Sequence, residues 1–331
     1  MAKVICTGEA LVDRLGPCGQ DNAFENQFED CLGGAPANVA AGLGRLGVKT
    51  AFVGCLGEDR IGEQFQKLFV TRGVDISGLQ LHSRHTSRVV LVQRDSSGER
   101  SFGGFIGGFE NSFADQSLDL NSLKKTFPEI AIEANWLLTG TISLATLNSR
   151  NAIFWMTKYA KNHNLKVAID LNWRPTFWDK TFHSNSLPSK QIKLLIRRFL
   201  ENAAFLKLAD EEAIAFFNTN NPAEISELLS LKPSVIVTDG AKTIHWFLNG
   251  YLGSLKPFSP EVIVDTTGAG DAFTAGLLSQ LVNSSFDENT YTDCENAVKF
   301  AAACGALVCG GLGAIEPQPT SNQVENFLSA Q

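Results

Sequence analysis

The stretch VIVDTTGAGDAFTAGLL, Val262–Leu278, decides how the rest of the chain is interpreted. A short apolar run leads into the small residues Gly268–Gly270, and a helical pattern is predicted from there over Ala269–Val282. Small residues let a backbone approach a ligand closely, and the first N–H groups of a helix have no intrahelical acceptor. Together with the positive end of the helix dipole, they predict an anion site suited to a phosphoryl group.

Asp271 lies in the first turn of this predicted helix. An acidic side chain beside bound phosphate suits a site in which an attacking hydroxyl must lose its proton. The alternative, which the residues alone leave open, is that Asp271 only stabilises the helix N-terminus, by ~0.5 kcal/mol.

The composition is that of an ordinary globular protein. The 331 residues are 44% hydrophobic and 19% charged, with a net charge of -7, and they can bury a sizeable core. The acidic balance and the absence of a Lys/Arg cluster argue against nucleic-acid or anionic-membrane partners. Seven cysteines without a CxxC pair indicate reduced thiols, and no apolar run is long enough for a membrane span. We therefore expect a cytoplasmic protein with small-molecule ligands.

Strand and helix patterns alternate along most of the chain, which predicts an α/β fold with a largely parallel sheet. Strands are predicted at Val4–Gly8, Thr50–Cys55, Asn135–Thr139, Lys166–Asp170, Ala204–Leu208, Ser234–Thr238, Thr243–Leu248 and Val262–Val264. Helices are predicted at Ala35–Leu46, Ile61–Thr71, Leu144–Asn162, Lys190–Glu201, Ala269–Val282 and Glu295–Val308.

A hairpin interrupts this alternation. Arg88–Arg94 and Glu99–Phe105 are β-rich runs separated by the turn sequence Asp95–Gly98. The pattern indicates a small subdomain lying over the main sheet, and residues 11–30, which also break the alternation, are candidates to join it.

A second informative stretch is GGAPANVAAGLGRLG, Gly33–Gly47. The amide of Asn38 can donate to and accept from sugar hydroxyls, although a glycine loop with a capping Asn is an equally valid interpretation. Gly42–Gly47 satisfies GxGxxG but closes a helix rather than opening one, which excludes a dinucleotide fingerprint. No P-loop sequence occurs either.

On these two motifs the chain resembles the ribokinase-like (minor phosphofructokinase) family of carbohydrate kinases. Gly33–Ala40 matches the family's Gly-Gly-x-Pro-x-Asn-x-Ala pattern, and Asp265–Asp271 matches Asp-Thr-x-Gly-Ala-Gly-Asp, in the family's order. The opening GEALVD together with DLNWRP, Asp170–Pro175, is most similar to bacterial fructokinases.

The resemblance implies a single three-layer α/β/α domain over residues 1–331, with a mostly parallel central sheet. It also implies a small β-sheet lid from about 11–30 and 86–106. The implied reaction transfers the γ-phosphoryl group of ATP, with Mg²⁺, to a sugar hydroxyl. Similarity to fructokinases favours D-fructose and fructose 6-phosphate.

The resemblance also assigns site residues. Asp271 matches the general base, and the anion hole is matched by Gly268, Ala269 and Gly270. We expect sugar contacts from Asp13, Gly33, Gly34, Asn38, Phe105, Asn172, Arg174 and Asp271. We expect ATP contacts from Lys207, Thr238, Gly240, Thr267, Gly268, Gly270, Asn296 and Ala303.

Metal and partner expectations follow from the same resemblance. Lys207–Asp210, KLAD, stands where many members carry N-x-x-E, so we expect no direct protein ligand to Mg²⁺ and a water-mediated contact through Asp210 at most. A monovalent cation such as K⁺ is expected near Asp265 and Thr267. Lids of this family often pair across a homodimer, although no apolar stripe here decides that point.

The sequence leaves the role of Arg174 open, and it also leaves two alternative functions open. Arg174 can bind sugar oxygens, grip a carboxylate, or pair with Asp170. A carboxylate would make the enzyme a 2-keto-3-deoxygluconate kinase. A catalytically silent, sugar-binding regulator is the alternative from another class.

Overall fold

The computed structural model describes residues 1–18, 28–94, 100–108, 112–260, 262–282 and 290–331. Its strands are β1 Val4–Thr7, β2 Leu11–Cys18, β3 Glu29–Gly33, β4 Thr50–Gly57, β5 Val74–His82, β6 Arg88–Arg94, β7 Arg100–Phe105, β8 Trp136–Thr139, β9 Lys166–Asp170, β10 Phe205–Ala209, β11 Ser234–Thr238, β12 Ile244–Leu248 and β13 Tyr251–Leu255. Its α-helices are α1 Ala35–Arg45, α2 Arg60–Thr71, α3 Leu120–Ile130, α4 Leu147–Asn162, α5 Lys190–Leu200, α6 Asp210–Phe217, α7 Pro222–Glu227, α8 Ala269–Leu281, α9 Tyr291–Val308 and α10 Ser321–Ser329.

The main sheet has nine strands in the order β13-β12-β11-β10-β9-β8-β1-β4-β5. Neighbouring strands from β11 to β5 run parallel, and β12 and β13 close one edge as an antiparallel pair. This confirms the predicted α/β class with a mostly parallel sheet.

Helices cover both faces of the main sheet, which produces the three layers. Strand β1 shows how: Ile5 points into one hydrophobic cluster, whereas Val4 and Cys6 point into another. Successive side chains of a strand alternate between faces, so a strand buried on both faces must be apolar throughout. Helices α3, α4 and α5 pack on the Ile5 side, and α1, α8 and α9 pack on the other.

A separate four-stranded sheet has the order β3-β2-β6-β7. Strands β6 and β7 form the predicted antiparallel hairpin, and the segment near residue 11 supplies β2 and β3. The turn sequence Asp95–Gly98 and residues 19–27 lie outside the described residues. We call these four strands the small sheet; the boundaries of the lid stay a prediction.

The predicted strand Val262–Val264 is wrong. These residues form no strand and are 64%, 64% and 55% exposed. The backbone N–H of Val264 donates to the carbonyl oxygen of Cys309 instead of to a neighbouring strand. A short apolar run does not by itself distinguish a buried strand from an exposed connection.

The cysteines agree with the predicted reduced state. Cys6, Cys55, Cys294, Cys304 and Cys309 are buried free thiols, and Cys31 is half-buried. The side chain of Cys18 lies outside the described part. Within the described residues, no helix is long and apolar enough to cross a bilayer.

Candidate active site

Two helix N-termini meet at one cleft. Helices α1 and α8 pack side by side, and they approach closely because Gly42 of α1 faces Ala275 of α8, where an added Cβ would lie 2.9 Å from the alanine Cβ. Their N-cap residues, Gly34 and Gly268, both have positive φ, at 101° and 79°. Both glycines line a cleft of about 850 Å³. The two sequence motifs are therefore brought together.

Asp271 and Asn38 are in direct contact within this cleft. The Nδ2 group of Asn38 donates to Oδ2 of Asp271 at 2.7 Å. The backbone oxygen of Asn38 accepts from Nε2 of Gln318 at 2.8 Å, which fixes the turn that carries the amide. The Oδ1 atom of Asn38 is buried and reaches no hydrogen-bond partner among the described residues. The Asn38 amide thus orients the Asp271 carboxylate, and its Oδ1 atom can accept a hydrogen bond from a further group.

The environment of Asp271 suits a base that works near neutral pH. Burial and the nearby Asp170 carboxylate raise the pKa of Asp271 to about 6. The hydrogen bond from Asn38 and the positive charges of Lys207 and Arg174 oppose that rise in its pKa. A carboxylate with such a pKa is ionised at pH 7, yet it is more basic than an exposed Asp.

A buried ion pair lies beside Asp271. Nζ of Lys207, on β10, donates to Oδ2 of Asp170, at the end of β9, at 2.8 Å. Both side chains are 8% exposed. Burial lowers the pKa of Lys207, but the carboxylates of Asp170, Asp271 and Glu212 together outweigh burial and raise that pKa. The ammonium therefore stays charged in the cleft.

Lys207 also adjoins the predicted anion hole. A Cβ on Gly270 would lie 3.3 Å from Nζ of Lys207, so the ammonium sits against the loop that opens α8. Gly268, Ala269, Gly270 and Thr267 all line the cleft. The free N–H groups of the first helical turn and the ammonium can act on one anion.

Asp265 holds this loop in place. Its Oδ1 accepts from the backbone N–H of Thr267 at 2.9 Å, and its Oδ2 accepts from the N–H of Gly313 at 2.8 Å. A side chain at Gly268 would collide with Ala314. The left-handed turn thus requires glycine, and the buried carboxylate fixes the shape of the loop.

The wall of the same cleft includes most of the predicted sugar positions. Asp13, Gly34, Asn38, Asn172 and Arg174 line the cleft. Gly33 supports this wall, since a Cβ there would lie 3.0 Å from Oδ2 of Asp13.

Arg174 does not form the ion pair with Asp170 that the sequence left open. Asp170 pairs with Lys207, while Nη1 of the exposed Arg174 donates to the carbonyl oxygen of Trp173 at 3.1 Å. The Arg174 guanidinium therefore lies at the cleft and is not paired with the Asp170 carboxylate.

Several predicted contact residues do not line this cleft. Phe105 is buried and packs against Phe113 and Phe177, so its ring supports the cleft wall, while Phe102 of the same strand lines the cleft. The predicted ATP positions that do not line it are Thr238, Gly240, Asn296 and Ala303. Ala303 is fully buried in a hydrophobic cluster.

Asp210 also lies outside the cleft lining, where its Oδ1 accepts from Nδ2 of Asn220 at 2.7 Å. The neighbouring Glu211 lines the cleft instead. The described residues contain no group of three or more His, Cys, Asp or Glu side chains that could hold a metal.

Glu9 lines the cleft and was not singled out from the sequence. It follows β1, is 1% exposed, and neither carboxylate oxygen reaches a hydrogen-bond partner in the described residues. Burial raises the pKa of Glu9 to about 8, and the charges of Asp115 and Asp271 add to the rise. Glu9 belongs to the run GEALVD, which could have drawn attention to it. Nothing in that run indicates that its carboxyl group is buried.

Comparisons with known proteins agree with this geometry. The family model described as pfkB family carbohydrate kinase matches residues 1–321. A fructokinase from Salmonella typhimurium is 31% identical over 324 residues, covering 96% of each chain.

Among solved structures, a fructokinase with bound ATP from Xylella fastidiosa is similar with a TM-score of 0.85 at 27% identity, covering 100% of this chain and 99% of that one. A double-mutant fructokinase from Vibrio cholerae O395, in a form with bound fructose, ADP and potassium ion, has a TM-score of 0.80 at 27% identity. It covers 99% of this chain and 98% of that one. With the two motifs joined at one cleft, these matches show that the chain is a carbohydrate kinase of the pfkB family.

Proposed function

We propose that this kinase transfers the γ-phosphoryl group of ATP to the 6-hydroxyl of D-fructose. The observation that carries the proposal is the contact between Asn38 and Asp271 in the cleft that also contains Lys207 and the Gly268–Gly270 loop. A raised-pKa carboxylate next to a cationic, N–H-rich loop is the arrangement that phosphoryl transfer to an alcohol needs.

The proposed reaction proceeds in one displacement. The sugar binds against Asp13, Gly34, Asn38 and Arg174, and the γ-phosphoryl group lies on the Gly268–Gly270 loop. Asp271 accepts the hydroxyl proton while the sugar oxygen bonds to phosphorus and the bond to ADP breaks. The loop N–H groups and the Lys207 ammonium stabilise the charge on the transferred group. Mg²⁺ would neutralise the ATP phosphates, with Glu211 as the adjoining carboxylate in the cleft.

The small sheet acts as a lid in this proposal. Val90, Val92 and Phe102 project from it into the cleft lining. Their closure over bound sugar would exclude water and limit wasteful hydrolysis of ATP. Pairing of two lids in a homodimer stays a prediction, and sedimentation analysis would test it.

Fructose is favoured over other sugars by similarity to fructokinases. The Salmonella relative is a fructokinase, and the Vibrio structure contains fructose, ADP and potassium. At about 30% identity this supports the substrate class more firmly than the particular sugar. The exposed Arg174 could equally grip a carboxylate, which keeps 2-keto-3-deoxygluconate as the competing substrate.

A coupled assay of ADP release tests the proposal over fructose, glucose, ribose, adenosine and 2-keto-3-deoxygluconate. We expect turnover with fructose and at least ~10-fold lower kcat/KM with the others. Turnover only with the keto acid would replace the substrate and make Arg174 a carboxylate clamp. No turnover on the whole panel would favour the sugar-binding regulator.

The same assay tests the monovalent cation. We expect higher turnover with K⁺ than in its absence, because Asp265 and Thr267 shape the loop that receives the phosphoryl group. Equal rates would remove the cation from the proposal.

A further inference from the structure

A buried guanidinium connects the small sheet to the body of the protein. Arg88 is the first residue of β6 and is buried. Its Nε and Nη2 groups donate to the two carboxylate oxygens of Asp115 at 3.0 and 3.1 Å. Both side chains are 4% exposed. A two-pronged pair of this kind fixes the plane of the guanidinium as well as its position.

Three phenylalanine rings surround this guanidinium, and they come from different parts of the molecule. The centre of the guanidinium lies 4.8 Å from the ring centre of Phe105, 4.4 Å from that of Phe113 and 5.0 Å from that of Phe177. Phe105 ends β7 of the small sheet, whereas Phe177 belongs to the loop that follows Arg174. The rings of Phe105 and Phe177 also meet edge to face at 5.1 Å.

The start of β6 is tied to the body by further contacts. The N–H and hydroxyl of Ser87 donate to Asp59, the N-cap of α2, at 2.7 and 2.9 Å. The backbone N–H of Ala114 donates to the carbonyl oxygen of Thr86 at 2.9 Å. Arg88 therefore lies at a fixed end of the small sheet, while Val90 and Val92 further along β6 line the cleft.

We propose that Arg88 is a positioning residue that sets the cleft loop carrying Arg174 against the small sheet. This inference rests on the proposed function. Arg88 does not itself line the cleft. Its guanidinium packs on Phe177, which lines the cleft together with Trp173 and Arg174 of the same turn. We call the contacts of Arg88 with Asp115 and the three phenylalanine rings the joint. Breaking the pair with Asp115 would leave an unpaired buried charge, so the joint stays intact while the rest of the small sheet moves.

The test compares Arg88→Lys with Arg14→Lys. Lysine keeps the charge of Arg88 but lacks the planar fork. Arg14 is the matched control, because it makes the same two-pronged contact with Asp30 within the small sheet, in an exposed position away from the joint. We expect R88K to raise the sugar KM at least ~10-fold while kcat falls less than ~3-fold, since binding geometry and not the base is changed. R14K should stay within about 2-fold of wild type.

A second variant and a second readout guard against an uninformative loss of folding. Phe177→Leu keeps an apolar side chain but removes the ring from the guanidinium, and it should raise the sugar KM. Because Phe177 also lines the cleft, this rise alone does not test the role of Arg88, and the coupling between the two changes does. The double variant should show no larger rise than either alone, because both changes act through one joint. In the unliganded protein, both changes should alter the near-UV circular dichroism from Trp173 and Trp178, and R14K should not.

The outcomes separate this inference from the proposed function. Wild-type turnover on the sugar panel decides the function, whereas the tryptophan signal decides the joint without any turnover. An R88K protein with a lower melting temperature but unchanged KM and unchanged tryptophan bands would reduce Arg88 to a structural residue. Additive effects of R88K and F177L would likewise overturn the inference.

Discussion

Nδ2 of Asn38 donates to Oδ2 of Asp271 at 2.7 Å across 233 residues of sequence, which joins the first turns of α1 and α8. One oxygen of the carboxylate is thus held by an amide, and the other is available to a ligand. The two family motifs meet in this one contact, so the carboxylate that we propose as the base is oriented before any substrate arrives.

Asp271→Asn should remove the base and keep the shape of the site. We expect turnover to fall at least ~100-fold, because general-base help of this size is lost. Sugar binding, measured by tryptophan fluorescence, should be retained. Asp75→Asn, at an exposed position on β5, serves as the control. Near-normal turnover of D271N would contradict the assignment of the base.

The pH dependence should show the raised pKa of Asp271. A carboxylate base works only when ionised, so kcat/KM should rise with pH through about 6 and then level off. In Asn38→Ala the hydrogen bond that lowers this pKa is absent, so the rising limb should move to higher pH. Rates followed from pH 5 to 8 test both statements; a limb that stays in place in N38A would contradict the role given to Asn38.

Lys207→Met should separate stability from catalysis. It leaves Asp170 buried without its partner, which we expect to cost about 3–5 kcal/mol in the free energy of unfolding. The double variant Asp170→Asn with Lys207→Met should recover much of that loss but little phosphoryl transfer, because the charge beside the anion loop is gone.

Denaturant titration and ADP release measure these two effects. Lys299→Met is the control, since the pair of Lys299 with Glu295 is half-exposed and should be worth less than about 1 kcal/mol. If the double variant regained full turnover, the Lys207 charge would have no part in the reaction.

Glu9→Gln should change how stability depends on pH. The pKa of Glu9 is raised to about 8 in the fold, so the folded state holds a proton that the unfolded state releases above its ordinary value of 4.5. The free energy of unfolding should therefore decrease between these values, by at most about 1.4 kcal/mol per pH unit.

The E9Q variant cannot release that proton, so its stability should decrease less steeply with pH and exceed that of wild type at pH 8. Melting curves from pH 5 to 8 measure the slope, and Glu325→Gln, at an exposed position on α10, is the control. Parallel slopes for E9Q and wild type would show that Glu9 is ionised throughout.

The parallel core of the fold could be predicted because its strands are buried on both faces. Runs such as Val4–Thr7 and Lys166–Asp170 are short and have apolar centres, so their length and composition agree with buried strands. Strand β5, VDISGLQLH, was missed because exposed residues alternate irregularly with buried ones along it. Helix α10 carried a usable signal, the capping box of Thr320 and Gln323.

The candidate site likewise contains residues that could be predicted from the sequence and residues that could not. Asp271, Asn38 and the Gly268–Gly270 loop could be found because each lies in a compact motif. The pairing of Asp170 with Lys207 requires β9 and β10 to be neighbours, a relationship that no local pattern contains. The raised pKa of Glu9 likewise depends on its burial in the fold and on the charges of Asp115 and Asp271, which lie far away in the sequence.

The small sheet is made of two chain segments, and each leaves the main body and returns to it. Its connection to α1 is the shortest of these: β3 ends at Gly33 and α1 begins at Ala35, with Gly34 alone between them. No flexible linker therefore separates the small sheet from α1 at this connection. A tilt of the small sheet would therefore reach the first turn of α1 through Gly34, and with it the contact between Asn38 and Asp271.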